Sequence, residues 1–375
     1  MENRIKGLDL ARTFSIFGMM VVNYHFAFGA FQGNSLLQEA ANFFSGRASA
    51  TFVILAGMGL ILFSRKMREN PEDILLKNKT KRILLNRSLF LFIIGTLDSI
   101  YWPADILRSY GAFFLIGSLS LNWKKYQYLI ASLLSILIFT VLYILFDFSK
   151  DWNTLTFSYN GFWTPTGFLK SLFFNGWNPL FPWIGFFFYG MFLGTHLCEE
   201  KNSKKLIGVV SILVFLILFS CSLNSEIKGI ISPSFMKTLY TQKSIFTVNQ
   251  LPPLPLYYFL SISFANLVIL FFWKIGDMYQ NSKLVQFLSR VGMYSHTIYL
   301  FHIYIGIIIY LIIRNIPSEE AFYSSYGTES IEFMWIFTLA AFMFSSIFCF
   351  LWSKFYSAGP LELLVKKLTE SKNKN

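Results

Sequence analysis

The sequence predicts an all-α, polytopic integral membrane protein with about ten transmembrane helices and both termini on the cytoplasmic side. Composition, segment length and the placement of basic residues predict it. Hydrophobic residues fill 54% of the 375 positions and charged residues only 14%, with a mean hydropathy of +0.51. Soluble domains carry about 25% charged residues, so a water-soluble core of this size would have no shell. The 44 Phe and 19 Tyr suit a lipid-facing surface with aromatic anchors at the interfaces.

Ten apolar segments approach the roughly 20 residues that a spanning helix needs. They lie near 13–31, 48–65, 83–101, 107–121, 125–146, 180–198, 206–223, 253–274, 291–313 and 331–353. The fourth is short and interrupted by Gly111 and Gly117, and reads as a broken or re-entrant helix. If the N-terminus is inside, the cytoplasmic pieces hold 24 of the 32 Lys and Arg, eight of them between Arg65 and Arg87. That alternation supports the N-in, C-in arrangement. The first apolar run has no small-residue cleavage site behind it and is expected to remain as the first span.

The net charge of +12 does not point to nucleic acid, because the basic residues sit in short clusters between apolar segments. Cys198, Cys221 and Cys349 lie in or beside apolar segments without paired spacing, and read as small hydrophobes rather than a metal site or disulfides. The chain reads as one domain over 1–375, with no soluble domain and no strong repeat. Two long outer loops, near 147–179 and 224–252, would cap an outward-facing cavity or serve as plain surface loops with interfacial aromatics. Membrane lipids are the expected surroundings, and a homodimer is compatible with this composition.

Polar residues at membrane depth need a reason, and the first segment carries several. Asp9 and Arg12 are i,i+3 neighbours able to pair. Arg12 is either a snorkelling end charge or a guanidinium that grips a phosphate. Asn23 lies nearly on the face of Arg12, with His25 turned well away and about 20 Å from Arg12 along the helix. His25 is a candidate general base, or half of a helix–helix hydrogen bond. In the ninth segment Ser295, Tyr299 and His302 share one face at i, i+4 and i+7, and His296 lies off it. His302 should sit near mid-membrane, meeting the first helix or joining two helices. Asp98, Asp105 and Arg108 cluster at the turn after the third segment, and Arg47 follows the first outer loop. They surround an acceptor pocket or fix loops by ion pairing. Trp183 closes the Trp177–Trp183 run, whose two prolines fit a helix start. No P-loop, dinucleotide fingerprint, HExxH or GxSxG is present.

The opening Arg4, Leu8-Asp9, Arg12 and Asn23 resembles that of the YeiB-like bacterial membrane proteins carrying a domain of unknown function. That group is related to heparan-alpha-glucosaminide N-acetyltransferase and, more distantly, to the membrane acyltransferases that acetylate surface sugars. Thr13 stands where the family opening has Gly. Gly46-Arg47-Ala48 with Gly57-Met58-Gly59, Asn178 to Trp183 with Gly190 and Gly194, and Gly359-Pro360-Leu361-Glu362 look like later elements of the group. Gly292, Ser295, Tyr299 and His302 resemble a motif of the sugar O-acyltransferases.

The resemblance implies acyl transfer from cytoplasmic acetyl-CoA, or another acyl-CoA, to a hydroxyl or amine of an extracytoplasmic glycan, lipid or envelope acceptor. His25 would be the general base, with Asn23, Tyr299 and His302 as the other catalytic candidates. Asp9, Arg12, Arg82 and Arg87 would bind the CoA, and Arg47, Asp98, Asp105, Arg108 and Trp183 the acceptor. A thiolate leaves readily, so the reaction needs no metal. A transporter or flippase for an amphipathic substrate, and a non-catalytic envelope partner, are the competing readings of the same polar cavity.

Overall fold

The computed structural model describes residues 4–153, 158–199, 203–223, 248–318, 321–322 and 326–369; most of the expected second outer loop, and the side chains of Cys198 and Cys221, lie outside the described residues. All the regular structure described is helical, with two isolated bridges and no strand. In chain order the helices are α1 (Lys6–Ala27), α2 (Ser35–Phe44), α3 (Arg47–Phe63), α4 (Arg65–Glu69), α5 (Ile74–Asp98), α6 (Leu107–Leu119), α7 (Lys125–Leu145) and α8 (Pro165–Lys170). Then follow α9 (Leu180–Glu199), α10 (Ser203–Leu223), α11 (Pro255–Met278), α12 (Lys283–Met293), α13 (Ser295–Phe301), α14 (Ile307–Ile313), α15 (Ile331–Trp352) and α16 (Pro360–Thr369). One-turn π-helices occupy Ser171–Asn175 and His302–Gly306.

The expectation of ten spans is corrected. Among the described residues six helical stretches are long and apolar enough to cross a membrane: Ser35–Phe63, Lys125–Leu145, Leu180–Leu197, Pro255–Met278, Ser295–Ile313 and Ile331–Trp352. Each of the other expected segments is helical. Arg12, Asn23 and His25 lower the apolarity of α1, the first half of α5 is basic, and α6 has only 13 residues. Helix α10 runs into positions whose side chains lie outside the described residues. The spans α7 and α15 are lipid-facing on much of their surface. Leu134, Leu137, Val141 and Ile144 on α7, and Ile336, Leu339, Met343 and Phe344 on α15, are exposed, which water would not tolerate over so large a patch.

The chain divides into two compact units. The first takes 4–52 and 264–363. Here α1 packs along α12 and against α15, and Gly292 lets α12 approach so closely that any Cβ there would meet the Asp9 carbonyl. Thr13 fastens the same contact: its hydroxyl donates to the Leu288 carbonyl at 2.7 Å.

The second unit takes 53–223, 248–263 and 364–369. Helix α5 lies along α6 and α7 along α9. Tyr258 and Ser132 share a 2.8 Å hydroxyl bond, and Ser135 donates to the Pro182 carbonyl at 3.2 Å. The described part of the 147–179 loop folds around Asn175, whose carbonyl accepts from Trp152 Nε1 and whose side-chain oxygen accepts from Tyr159, each at 2.8 Å.

Candidate active site

Helix α1 ends where its sequence lets it. Gly29 adopts φ +59, and the amides of Gly29 and Ala30 fold back onto the carbonyls of Phe26 and His25 at 3.1 and 3.2 Å. That paired closure is the Schellman motif, which favours Gly at its left-handed position. It fixes the last turn of α1, which carries Asn23, Tyr24 and His25.

His302 lies on the facing helix in the same unit. Its Nδ1 is 3.1 Å from the Ile298 carbonyl and its Nε2 is 2.9 Å from Asn23 Nδ2. A carbonyl only accepts, so Nδ1 carries the proton and Nε2 presents its lone pair to the Asn23 amide. Tyr24 donates its hydroxyl to the His302 carbonyl at 2.9 Å, at the start of the π-turn. Such turns are frequent at functional sites. The rings of Tyr24 and Tyr299 stand edge-on to the imidazole at 5.8 and 5.5 Å between centroids. His302 is 2% exposed, and both tyrosines are buried. Only Asn23 of the four is half-buried, so Nε2 is reached past its amide.

His25 is also buried but belongs to a different network, in keeping with its turn away from Asn23 on the helix. Its Nε2 lies 2.9 Å from Gln38 Oε1. The amide end of Gln38 donates to the carbonyls of Ala30 and Gln32 at 2.9 and 3.3 Å, which fixes its oxygen toward the ring. His25 Nε2 is therefore a donor. Gln38 carried no periodic signal in the sequence.

At the other end of α1, Asp9 is 1% exposed and held by two arginines. Arg4 Nε reaches Oδ2 at 2.5 Å and Arg12 Nη1 reaches Oδ1 at 2.7 Å. The expected Asp9–Arg12 pair is present, and Arg4 makes it a cluster with one net positive charge.

Glu362, from the Gly-Pro-x-Glu element, caps α13. It accepts from the backbone amides of His296 and Thr297 at 2.8 and 3.3 Å and from the Thr297 hydroxyl at 2.6 Å. Burial pushes this carboxyl up, but the His296 side chain and the Thr297 hydroxyl outweigh it and hold Glu362 below the ordinary range. The cap anchors the helix that ends on His302.

The remaining candidates are dispersed. Arg47, in the first unit, donates to the Phe43 carbonyl at 2.7 Å and lies over that ring. In the second unit Arg82 is exposed and Arg87 lies over the Phe114 ring at 5.1 Å. Asp98, Asp105 and Arg108 do meet. The two carboxyls act on each other electrostatically, and the Arg108 amide donates to Asp105 Oδ2 at 3.2 Å. The Arg108 guanidinium lies over Phe162 and Phe168 and reaches Ser171 Oγ at 3.3 Å. Trp183 is fully buried against Phe186. Among the described residues no group of three His, Cys, Asp or Glu could hold a metal ion.

Residues 4–219, more than half of the chain and all of α1 with its Asn23, match the family described as heparan-alpha-glucosaminide N-acetyltransferase, catalytic. The chain belongs to that family. The heparan-alpha-glucosaminide N-acetyltransferase match stops in α10, and residues 195–372 match a second family, a protein of unknown function designated DUF418, in line with the YeiB-like resemblance. The Asn23–His302 pair thus joins a residue inside the catalytic-domain match to one inside the second. A search of the curated proteins gives no match. The chain is a polytopic membrane protein homologous to an acyltransferase catalytic domain.

Proposed function

We propose that the protein moves an acetyl or longer acyl group from cytoplasmic acyl-CoA to a hydroxyl or amine of a glycan or lipid acceptor outside the bacterial cytoplasmic membrane. The observation that carries this reading is membership of a family described by N-acetyltransferase catalysis. The buried Asn23–His302 pair gives it a chemical form.

His302 Nε2 takes the acceptor proton as the acceptor oxygen or nitrogen attacks the thioester carbonyl carbon. The new C–O or C–N bond forms, the C–S bond breaks, and the departing CoA thiolate recovers the proton. Asn23 turns from Nε2 to admit the acceptor, and its amide donates to the carbonyl oxygen as charge develops there. Tyr299 holds the imidazole plane from the side. His25 is the base suggested by family resemblance, but its Nε2 is already committed as a donor to Gln38, which favours His302. The net positive Arg4–Asp9–Arg12 cluster suits a CoA phosphate, and the basic-residue alternation supports donor entry from the cytoplasm.

The test is acetyl-CoA binding to purified, detergent-solubilised protein, followed by an acetyl-transfer screen with sugar and lipid acceptors. Saturable binding is expected in the wild type, in His25→Ala and in His302→Gln, and weakened in Arg12→Ala. Transfer is expected to fall furthest in His302→Gln, by about 100-fold or more for a lost general base. Folded wild type that binds neither acetyl-CoA nor longer acyl-CoAs overturns acyl transfer and leaves a transporter of amphipathic substrates as the reading.

A further inference from the structure

The basic stretch after α3 holds a pocket lined by none of the candidate site residues above. A cavity of ≈ 380 Å³ opens where the end of α4, the start of α5 and the α6–α7 turn converge, all within the second unit. That size falls within the range of about 300–1,000 Å³ usual for small-ligand sites. Arg68 and Lys77 line it together with Asn122 and Trp123, over an apolar floor of Met67 and Leu121.

Arg68 and Lys77 are half-buried, and among the described residues neither has a carboxylate partner. Two of the three nearby acids are engaged elsewhere, and the third, Glu72, is exposed. Glu69 pairs with Arg65 at 2.7 Å, and the Asp73 side chain caps α5 by accepting from the Leu76 amide at 2.8 Å. Two cations facing one cavity repel each other, and an anion between them removes that cost. Trp123 supplies a fixed apolar wall. Its ring stacks on Phe188 at 5.5 Å and 19° and leans on Tyr128 at 5.9 Å, and Tyr128 is tied by its hydroxyl to the Ser120 carbonyl at 2.9 Å. The indole still keeps 38% of its surface exposed. The Asn122 amide is exposed beside it.

We propose that this pocket binds a phosphate ester, with Arg68 and Lys77 on the phosphate oxygens and Trp123 against the apolar or planar group next to the phosphate. Arginine matches phosphate through its planar donor fork, and lysine adds a point charge. Two sources carry this chemistry: the nucleotide end of an acyl-CoA, which rests on the acyl-transfer reading, and the headgroup of an anionic phospholipid, which does not.

Full-length protein, purified in detergent free of anionic lipid, is titrated with adenosine 3′,5′-bisphosphate and with acetyl-CoA. Phosphatidylglycerol binding is counted by native mass spectrometry on the same samples. Wild type is compared with Arg68→Ala/Lys77→Ala, Trp123→Ala and Trp123→Phe, with Lys283→Ala as an exposed basic control. The Arg68→Ala/Lys77→Ala protein is expected to bind one class of probe at least tenfold more weakly. Trp123→Ala should lose affinity that Trp123→Phe keeps, and the control should match wild type. Loss of bisphosphate and acetyl-CoA binding assigns the nucleotide source; loss of phosphatidylglycerol alone assigns the lipid source. Acetyl-CoA and phosphatidylglycerol bound equally by wild type and the double variant overturn the pocket and leave acyl transfer standing. No binding of any probe by wild type of native size and thermal stability overturns both. Phosphatidylglycerol lost by the variant, with no acetyl-CoA bound by either protein, keeps the pocket and overturns acyl transfer.

Discussion

Asn23 and His302, 279 positions apart, meet through a 2.9 Å bond between the asparagine amide and the imidazole Nε2. The other ring nitrogen is fixed on the Ile298 carbonyl, so the bond defines which histidine atom is basic. It also joins α1 to the helix that follows α12, a role independent of any reaction.

The pair should therefore be energetically coupled. Asn23→Ala and His302→Ala each remove one partner and leave the other's polar group buried. Their double variant should be less destabilised than the sum of the singles by about 0.6–1.7 kcal/mol, the range for interhelical polar pairs in membranes. Thermal unfolding of the four proteins in one detergent measures it. Additive losses would mean that the contact contributes nothing to stability.

Part of this geometry is legible in the sequence. The stripe of Ser295, Tyr299 and His302 followed from helical spacing, and so did the separation of Asn23 from His25. What spacing cannot give is the choice of partner across the chain. Either α1 residue could have faced His302, and the outcome depends on how Gly292 and Thr13 set the approach of α12. Gln38, which captures His25, lies on the amphipathic α2 with no motif around it. The span count failed for a related reason: apolar length marks a helix, but a polar stripe such as that of α1 lowers its apolarity just where the chemistry sits. Arg4 was visible only as one more basic residue, because nothing local shows that two arginines share Asp9.

That sharing predicts an order of effects. Asp9 is buried, the Arg12 side chain is 20% exposed and that of Arg4 is 45% exposed. Asp9→Ala leaves two like charges facing each other and should cost about 3 kcal/mol, as for a broken buried pair. Arg12→Ala should cost less. Arg4→Ala should cost within about 1 kcal/mol, as for an exposed pair. Detergent thermal stability ranks the three, and an Arg4→Ala loss equal to that of Asp9→Ala would refute the ranking.

Gly292 should tolerate no side chain. A Cβ at this position meets the Asp9 backbone carbonyl, which cannot rotate aside as a side chain would. Gly292→Ala should destabilise the first unit by about 1–3 kcal/mol, the usual cost of overpacking, and should loosen the Thr13–Leu288 bond. The companion variant Thr13→Val keeps the shape and removes only the hydroxyl's contacts with the Leu288 and Asp9 carbonyls, so its loss should be nearer 1 kcal/mol. Equal stability of Gly292→Ala and wild type would show that α1 and α12 can separate without cost.

Glu362 is held below the ordinary carboxylate range because the His296 side chain and the Thr297 hydroxyl outweigh the upward push of burial. A group with a depressed folded pKa contributes stability that is fully present above its unfolded value, about 4.3 for Glu. That contribution is lost as the pH falls through the folded value. Glu362→Gln removes the ionised cap while keeping the shape. Wild type should therefore exceed Glu362→Gln in thermal stability at pH 7, and the gap should shrink as the pH is taken from about 4.3 downward. The other carboxylates are common to both proteins, so their contribution cancels in the difference. A gap that stays constant with pH would mean that Glu362 caps α13 equally well when neutral. Fluorescence of Trp352, whose indole donates to the Ala358 carbonyl just before the Glu362 helix, offers a local readout. With every other tryptophan replaced by phenylalanine, its emission should shift in step with the stability gap if the cap is what fails.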